Sequence, residues 1–549
     1  MPRPLLAFAM AVMFAPLAGA KPPALVVQSR STGALIGEAK ALAKLAGGPL
    51  ADEFDDWLET TFGEDGLKGI DLSKPLVVYA PLTGVAAEAK LFAIVPITKE
   101  AEFLELLERL DRAATAEPND KSLYRIGEDD DADVLYFRFH HGCAYFVFYG
   151  AAKDLDAKTL PDAKDLLNAG DPALVTATFR PGSTDAAFRK SALEALAQAI
   201  EELGAFPFLP PATAKVLGEW GQSFEPLAKA VLADGESITV RLDREPGAKE
   251  LSFEIAVTPK KGTALAKDIA SRKLTANRFS GLATWPDAAA VLLLQQPNWN
   301  DEARKVLGDS LKVLGAEFAG LYAKELEAGL IALLDGMIPP AKAGALDFGA
   351  ILTAPDKSGF GGAAFGLSHS DPAALLTALA AWAKKPPEEF GESRDEFAKA
   401  LKLNAAKGGE LAIHTVALKA FLPDNLKELF GTDALLAVAI DKDALYVAFG
   451  TGAVELLRRL PGLKPGEASA VDLRVNPKKL AGWPKADRDG IGDLVRDTLG
   501  EVDKLTPVVR LTIGGTGELK IRATLSVPIA RIARKVFEFL DSVVPNYPR

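Results

Sequence analysis

The chain of 549 residues contains a single cysteine, Cys143. One thiol forms no internal disulfide, so a small scaffold stapled by disulfides is excluded. Histidine is nearly as scarce, with four residues: His140, His141, His369 and His414. No HExxH, paired-His or CxxC spacing occurs, so zinc has no ligand set in recognisable order and no metal is expected. GxSxG and GxxxxGK[ST] are missing as well, which removes the hydrolase elbow and the phosphate loop; no cofactor is expected. Positive charge is in deficit, 63 Lys and Arg against 74 Asp and Glu, for a net charge of -11. Phosphate contacts need clustered Lys and Arg, so nucleic acid is not expected as a partner.

Long apolar runs are also lacking, except at the start. Residues 1–20 read MPRPLLAFAMAVMFAPLAGA. Arg3 supplies a positive n-region, Leu5 to Leu17 an apolar h-region, and Ala18-Gly19-Ala20 a small-x-small cleavage site. These are the parts of a secretory signal peptide, cleaved after Ala20. The run is too short for a membrane span, which needs ~20 residues. The expectation is a soluble protein of the periplasm or extracellular space, with no transmembrane segment after cleavage.

What the sequence does contain is self-similarity. Ala24-Leu25-Val26, Ala173-Leu174-Val175, Ala289-Ala290-Val291 and Ser469-Ala470-Val471 each open a strand-turn-helix pattern. Six residues after the Val stand Thr32, Pro181, Pro297 and Pro477, all suited to a helix start. A hairpin and an amphipathic helix complete each unit, read from period-two and three-four apolar spacing. Thr98 and Ser370 are the expected N-caps of two such helices. Between paired units lies a further β segment, where Ala144-Tyr145-Phe146-Val147-Phe148 matches Leu445-Tyr446-Val447-Ala448-Phe449. Residues 21–275 and 276–549 therefore read as two copies of one α+β design. Its sheets are antiparallel or mixed, and the element order resembles ferredoxin-like β-α-β-β-α subunits joined by β-meanders. The apolar, proline-rich stretches AFPFLPP (205–211) and GMIPP (336–340) read as loops between helices.

Each candidate site has a plainer alternative. Cys143 and His141 are spaced to share a strand face, as a nucleophile and its base require. The matching positions in the second half are Ala444 and Lys442, which favours a buried small residue beside a polar turn. Asp129, Asp131 and Asp133 have the first spacings of a calcium loop, but Val134 and His140 stand where Gly and Glu are needed. Asp487-Arg488-Asp489-Gly490 fails likewise, with Arg496 at the closing position. Gly359-Phe360-Gly361-Gly362 lies between strands, where a dinucleotide loop does not. His369 and His414 read as half-buried strand residues with satisfied partners. The remaining feature is aromatic: Tyr136, Tyr145 and Tyr149 on adjoining strands, with Phe206 and Phe208 in the nearby apolar loop sequence. Such a set can line an apolar pocket with hydroxyl handles.

The expected function is that of an exported, non-catalytic binding or structural scaffold of the cell envelope. Its partner is an unknown protein or a small apolar ligand. The first alternative is a carrier whose pocket is lined by Tyr136, Tyr145, Tyr149, Phe206 and Phe208. The second is an envelope hydrolase using two carboxyls about 5 to 9.5 Å apart.

Overall fold

The computed structural model describes residues 22–46, 50–82, 90–127, 134–148, 150–167, 173–204, 218–219, 221–244, 250–272, 276–297, 301–319, 324–386, 394–422, 424–466, 469–482, 503–514 and 517–526. The leader sequence, Asp129, Asp131, Asp133, Tyr149, Phe206, Phe208, Asp487 and its neighbours lie outside them. The fold is α+β. Described residues fall into two compact units, those within Met1–Glu201, Glu225–Ser271 and Gly515–Arg522, and those within Glu202–Phe224, Arg272–Gly514 and Ala523–Arg549.

The first unit contains β1 (Leu25–Ser29), β2 (Val77–Ala80), β3 (Leu91–Pro96), β4 (Ala114–Glu117), β5 (Asp120–Ile126), β6 (Leu135–His140), β7 (Cys143–Phe148), β8 (Val175–Phe179), β9 (Gly235–Asp243) and β10 (Glu250–Pro259). Their pairing gives the order β4-β5-β6-β7-β3-β2-β1-β8-β9-β10, antiparallel throughout. The second unit contains β11 (Ala288–Gln295), β12 (Asp347–Thr353), β13 (Ala363–Ser368), β14 (Leu401–Gly408), β15 (Leu411–Ala417), β16 (Leu435–Ile440), β17 (Ala444–Gly450), β18 (Val471–Val475) and β19 (Thr506–Gly514). Here the order is β14-β15-β16-β17-β13-β12-β11-β18-β19, again antiparallel. The strands that open the four sequence motifs are thus paired with each other, β1 with β8 and β11 with β18.

This pairing corrects the ferredoxin-like expectation. A split β-α-β needs a crossover between parallel strands, whereas β1 lies between β2 and β8 and is antiparallel to both. The cause is a second helix. Thr32–Ala46 and Leu50–Phe62 both intervene between β1 and β2, and Asp301–Ala319 and Lys324–Ala343 between β11 and β12. One crossing helix would return the next strand parallel; two reverse it. In the second unit the two helices are packed antiparallel: Leu307 and Leu311 pack with Leu334, Ile338 and Ala341, and Gly308 adjoins Lys342.

GMIPP is not a loop. Pro339 and Pro340 lie inside the helix Lys324–Ala343. Pro340 has no N–H for the carbonyl four residues back. That carbonyl, on Gly336, accepts instead from the backbone N–H of Ser370 at 2.9 Å and from its hydroxyl at 3.1 Å. Both expected caps also shift by one residue. Asp371, not Ser370, accepts from the Ala374 N–H. Lys99 occupies the N-cap position without a side-chain cap, and the Thr98 hydroxyl turns to Glu102. No helix among the described residues is long and apolar enough to cross a membrane.

Candidate functional site

The two sheets treat one position differently. Strands β6 and β7 in the first unit, and β16 and β17 in the second, occupy the same place in the strand order. On each pair, four residues face the helix that follows β3 or β13. In the first unit these are Phe137 opposite Phe146 and Phe139 opposite Ala144. All four are buried, none more than 7% exposed. Phe103, Leu106 and Leu107 of the helix Glu100–Arg109 close over them. The rings interlock: Phe137 and Phe146 stack at 5.0 Å, and Phe103 meets Phe137, Phe139 and Phe146 edge-on at 6.0 to 6.2 Å. This face is full.

In the second unit the same positions hold Val438 opposite Val447 and Ile440 opposite Leu445. Val438, Ile440 and Val447 are only half-buried. Aliphatic side chains stand where the first unit has three phenylalanine rings, and the space above them is open as a cavity of about 360 Å³. Its floor is Val438, Ile440, Leu445 and Val447. Leu375, Ala378, Leu379 and Trp382 of the helix Pro372–Lys384 line a second side, and Gly329, Leu330 and Leu333 of the helix Lys324–Ala343 line a third. Every one of these residues is apolar. The volume lies within the range of small-molecule pockets, about 300–1,000 Å³.

Two contacts fix the walls. The Trp382 ring lies against Gly329 with no room for a Cβ there. The His369 imidazole lies against Gly336 in the same way. His369 is 1% exposed; its Nδ1 accepts from the Asp371 N–H at 3.2 Å, and its Nε2 sits 3.2 Å from the Ala332 carbonyl. That pattern suits a neutral ring protonated at Nε2, and burial holds its pKa below the ordinary value. His414 is similarly buried, with Nδ1 accepting from the Asn404 N–H at 3.2 Å, and is likewise lowered by burial.

Tyr136 and Tyr145, the described members of the expected aromatic set, lie elsewhere. Tyr145 is fully buried, and its hydroxyl donates to the Pro161 carbonyl at 3.0 Å. Burial is the main reason its pKa is pushed up to about 12. Tyr136 is half-buried against the same cluster, which Leu155, Leu160 and Leu166 cover. Arg138, on that face, donates from Nε to the Leu155 carbonyl and pairs with Asp120. The space beside Tyr145 is therefore occupied by protein. Cys143 is directly opposite His140, not His141. His141 and Gly142 both have positive φ and form the two-residue hairpin turn. Burial pushes the Cys143 thiol up, the opposite of what a thiolate nucleophile requires. Among the described residues, no group of three or more His, Cys, Asp or Glu could hold a metal ion.

The signal that could have found the cavity was present in the aligned strands. Phe146 against Val447 and Phe137 against Val438 each exchange a ring for a small aliphatic side chain. Tyr145 and Tyr446 lie on the other face, where both units have a buried tyrosine.

No protein-family model matches the chain. No curated protein matches it either. Among solved structures, crystal form IV of TP0453 aligns over 45% of this chain and 79% of its own, at 10% identity and a TM-score of 0.22. A similarity of that size transfers neither fold nor function.

Proposed function

We propose that this is an exported, non-catalytic binding protein whose ligand is apolar and sits in the cavity of the second unit. The observation that carries the reading is the cavity itself: about 360 Å³, lined on three sides by apolar residues, at a position that the first unit fills with phenylalanine. Occupation by an apolar molecule removes both the half-exposed lining and the ligand's own surface from water.

The two units are read as copies of one design, supported by the shared strand order and the paired helices before β2 and β12. Duplication explains how one copy keeps a sealed core while the other diverges toward binding. The leader-like residues 1–20 support export to the periplasm or beyond. The Cys143 thiol and the His369 and His414 imidazoles are buried, and both imidazoles are hydrogen-bonded to backbone, which supports a non-catalytic reading.

The test is mass spectrometry of the organic extract of protein purified without denaturation, alongside fractionation of cells that express the full chain. The expected result is one apolar compound near one equivalent, from protein recovered outside the cytoplasm. An empty extract from protein that also fails to bind any apolar probe overturns the reading.

A further inference from the structure

Resting on the proposal that this cavity binds an apolar ligand, we infer that the ligand is a single aliphatic chain whose polar head stays outside, and that Trp382 sets the chain length. Three observations lead there. First, the residues lining the cavity include no hydrogen-bonding side chain apart from the indole of Trp382. A carboxylate, phosphate or sugar drawn inside would lose its water and gain no partner. The part of the ligand that enters is hydrocarbon throughout.

Second, the lining is aliphatic where the first unit is aromatic. Val438, Ile440, Leu445 and Val447 present methyl groups on a strand surface, and Trp382 is the single ring in the lining, with no second ring opposite it to sandwich a planar ligand. An apolar cavity of about 150 Å³ accepts one benzene, so about 360 Å³ holds on the order of a dozen carbons. One chain of middle length fits, and two long chains do not.

Third, the cavity has a defined stop. Trp382 crosses to Gly329 on the facing helix. It also packs in the cluster that contains Leu436, the residue next to Val438 on the same face of β16. The indole therefore spans from one wall helix to the other at the end of the cavity toward Leu436. Truncating it opens that end, whereas changing floor residues alters width.

The experiment is calorimetric titration with n-alkyl maltosides of eight to sixteen carbons and with dodecanoate. Affinity is expected to rise about fourfold per added methylene, then to level off near twelve carbons, with dodecanoate and dodecyl maltoside binding alike. In Trp382→Ala the plateau moves to longer chains, and in Trp382→Phe, which keeps a ring, it moves less. Flotation with phosphatidylethanolamine–phosphatidylglycerol vesicles separates two sources of the chain. Co-flotation assigns it to a membrane lipid, and its absence assigns it to a free amphiphile. A plateau that Trp382→Ala leaves in place, or affinity governed by the head group, overturns the inference while the apolar-ligand reading stands. If no chain of any length binds, that reading falls as well.

Discussion

The Trp382 indole lies directly over Gly329, in the space that a Cβ on residue 329 would take. Glycine in mid-helix costs about 0.5–1 kcal/mol relative to alanine, so its presence there needs a compensating contact, and the ring supplies one. Gly329→Ala would gain helix propensity, but it forces the ring to move. Overpacking of this kind costs about 1–3 kcal/mol. The expected outcome is a lower Tm together with altered indole fluorescence. A rise in Tm would show that Trp382 is free to leave.

The sealed and open faces should respond differently to truncation. Phe137→Ala removes a fully buried ring from the centre of an aromatic cluster and is expected to cost about 3–5 kcal/mol. Val438→Ala, at the matching place in the second unit, trims a half-buried side chain beside existing space. Its expected cost is below about 1.5 kcal/mol, since few contacts are lost. Denaturant unfolding measures both, and equal costs would contradict the contrast between the faces.

Acid should weaken the second unit through His369. Burial lowers the pKa of this ring in the folded state. Above the unfolded value, about 6.5, the ring is neutral in both states and full stability is present. As pH falls below that value, the unfolded chain binds a proton that the folded ring resists, and stability is lost until the folded ring itself protonates. The slope per histidine is at most about 1.4 kcal/mol per pH unit. His369→Gln should flatten the decline in urea midpoint between about pH 7 and pH 5, and His414→Gln should act in the same direction. An unchanged decline in both variants would mean that neither ring is held neutral.

Cys143 is expected to be a quiet thiol. It is 8% exposed, and burial raises its pKa. Reaction with a disulfide reagent at neutral pH should be slow in the native protein and fast in denaturant. Rapid native reaction would restore the nucleophile that its placement argues against.

Most strands were legible in the sequence because period-two alternation reports a half-covered sheet directly. The KLFAIVP stretch and β3, or the ELSFEIAVTP stretch and β10, coincide almost residue for residue. The helix pairs before β2 and β12 were harder. The first pair is split only by the short Gly47-Gly48-Pro49 punctuation, and a single helix read there yields the ferredoxin-like element order. Pro339 and Pro340 read as breakers because Ser370, the donor that satisfies the Gly336 carbonyl, comes from a distant part of the chain. The cavity was the least visible feature. An aliphatic strand residue looks the same in sequence whether it meets a packed helix or open space, so Val438 and Val447 carried no signal until Phe137 and Phe146 were set beside them.

The central claim is tested most directly by calorimetric titration of dodecyl maltoside into the wild-type protein and into a Val438→Phe/Val447→Phe double variant. These substitutions copy the stacked Phe137–Phe146 pair into the second unit. The expected result is saturable binding near one equivalent in the wild type. In the double variant, affinity should be at least ten times weaker, with circular dichroism unchanged and Tm equal or higher. Undiminished binding in the folded double variant would place any ligand elsewhere and contradict the assignment of this cavity.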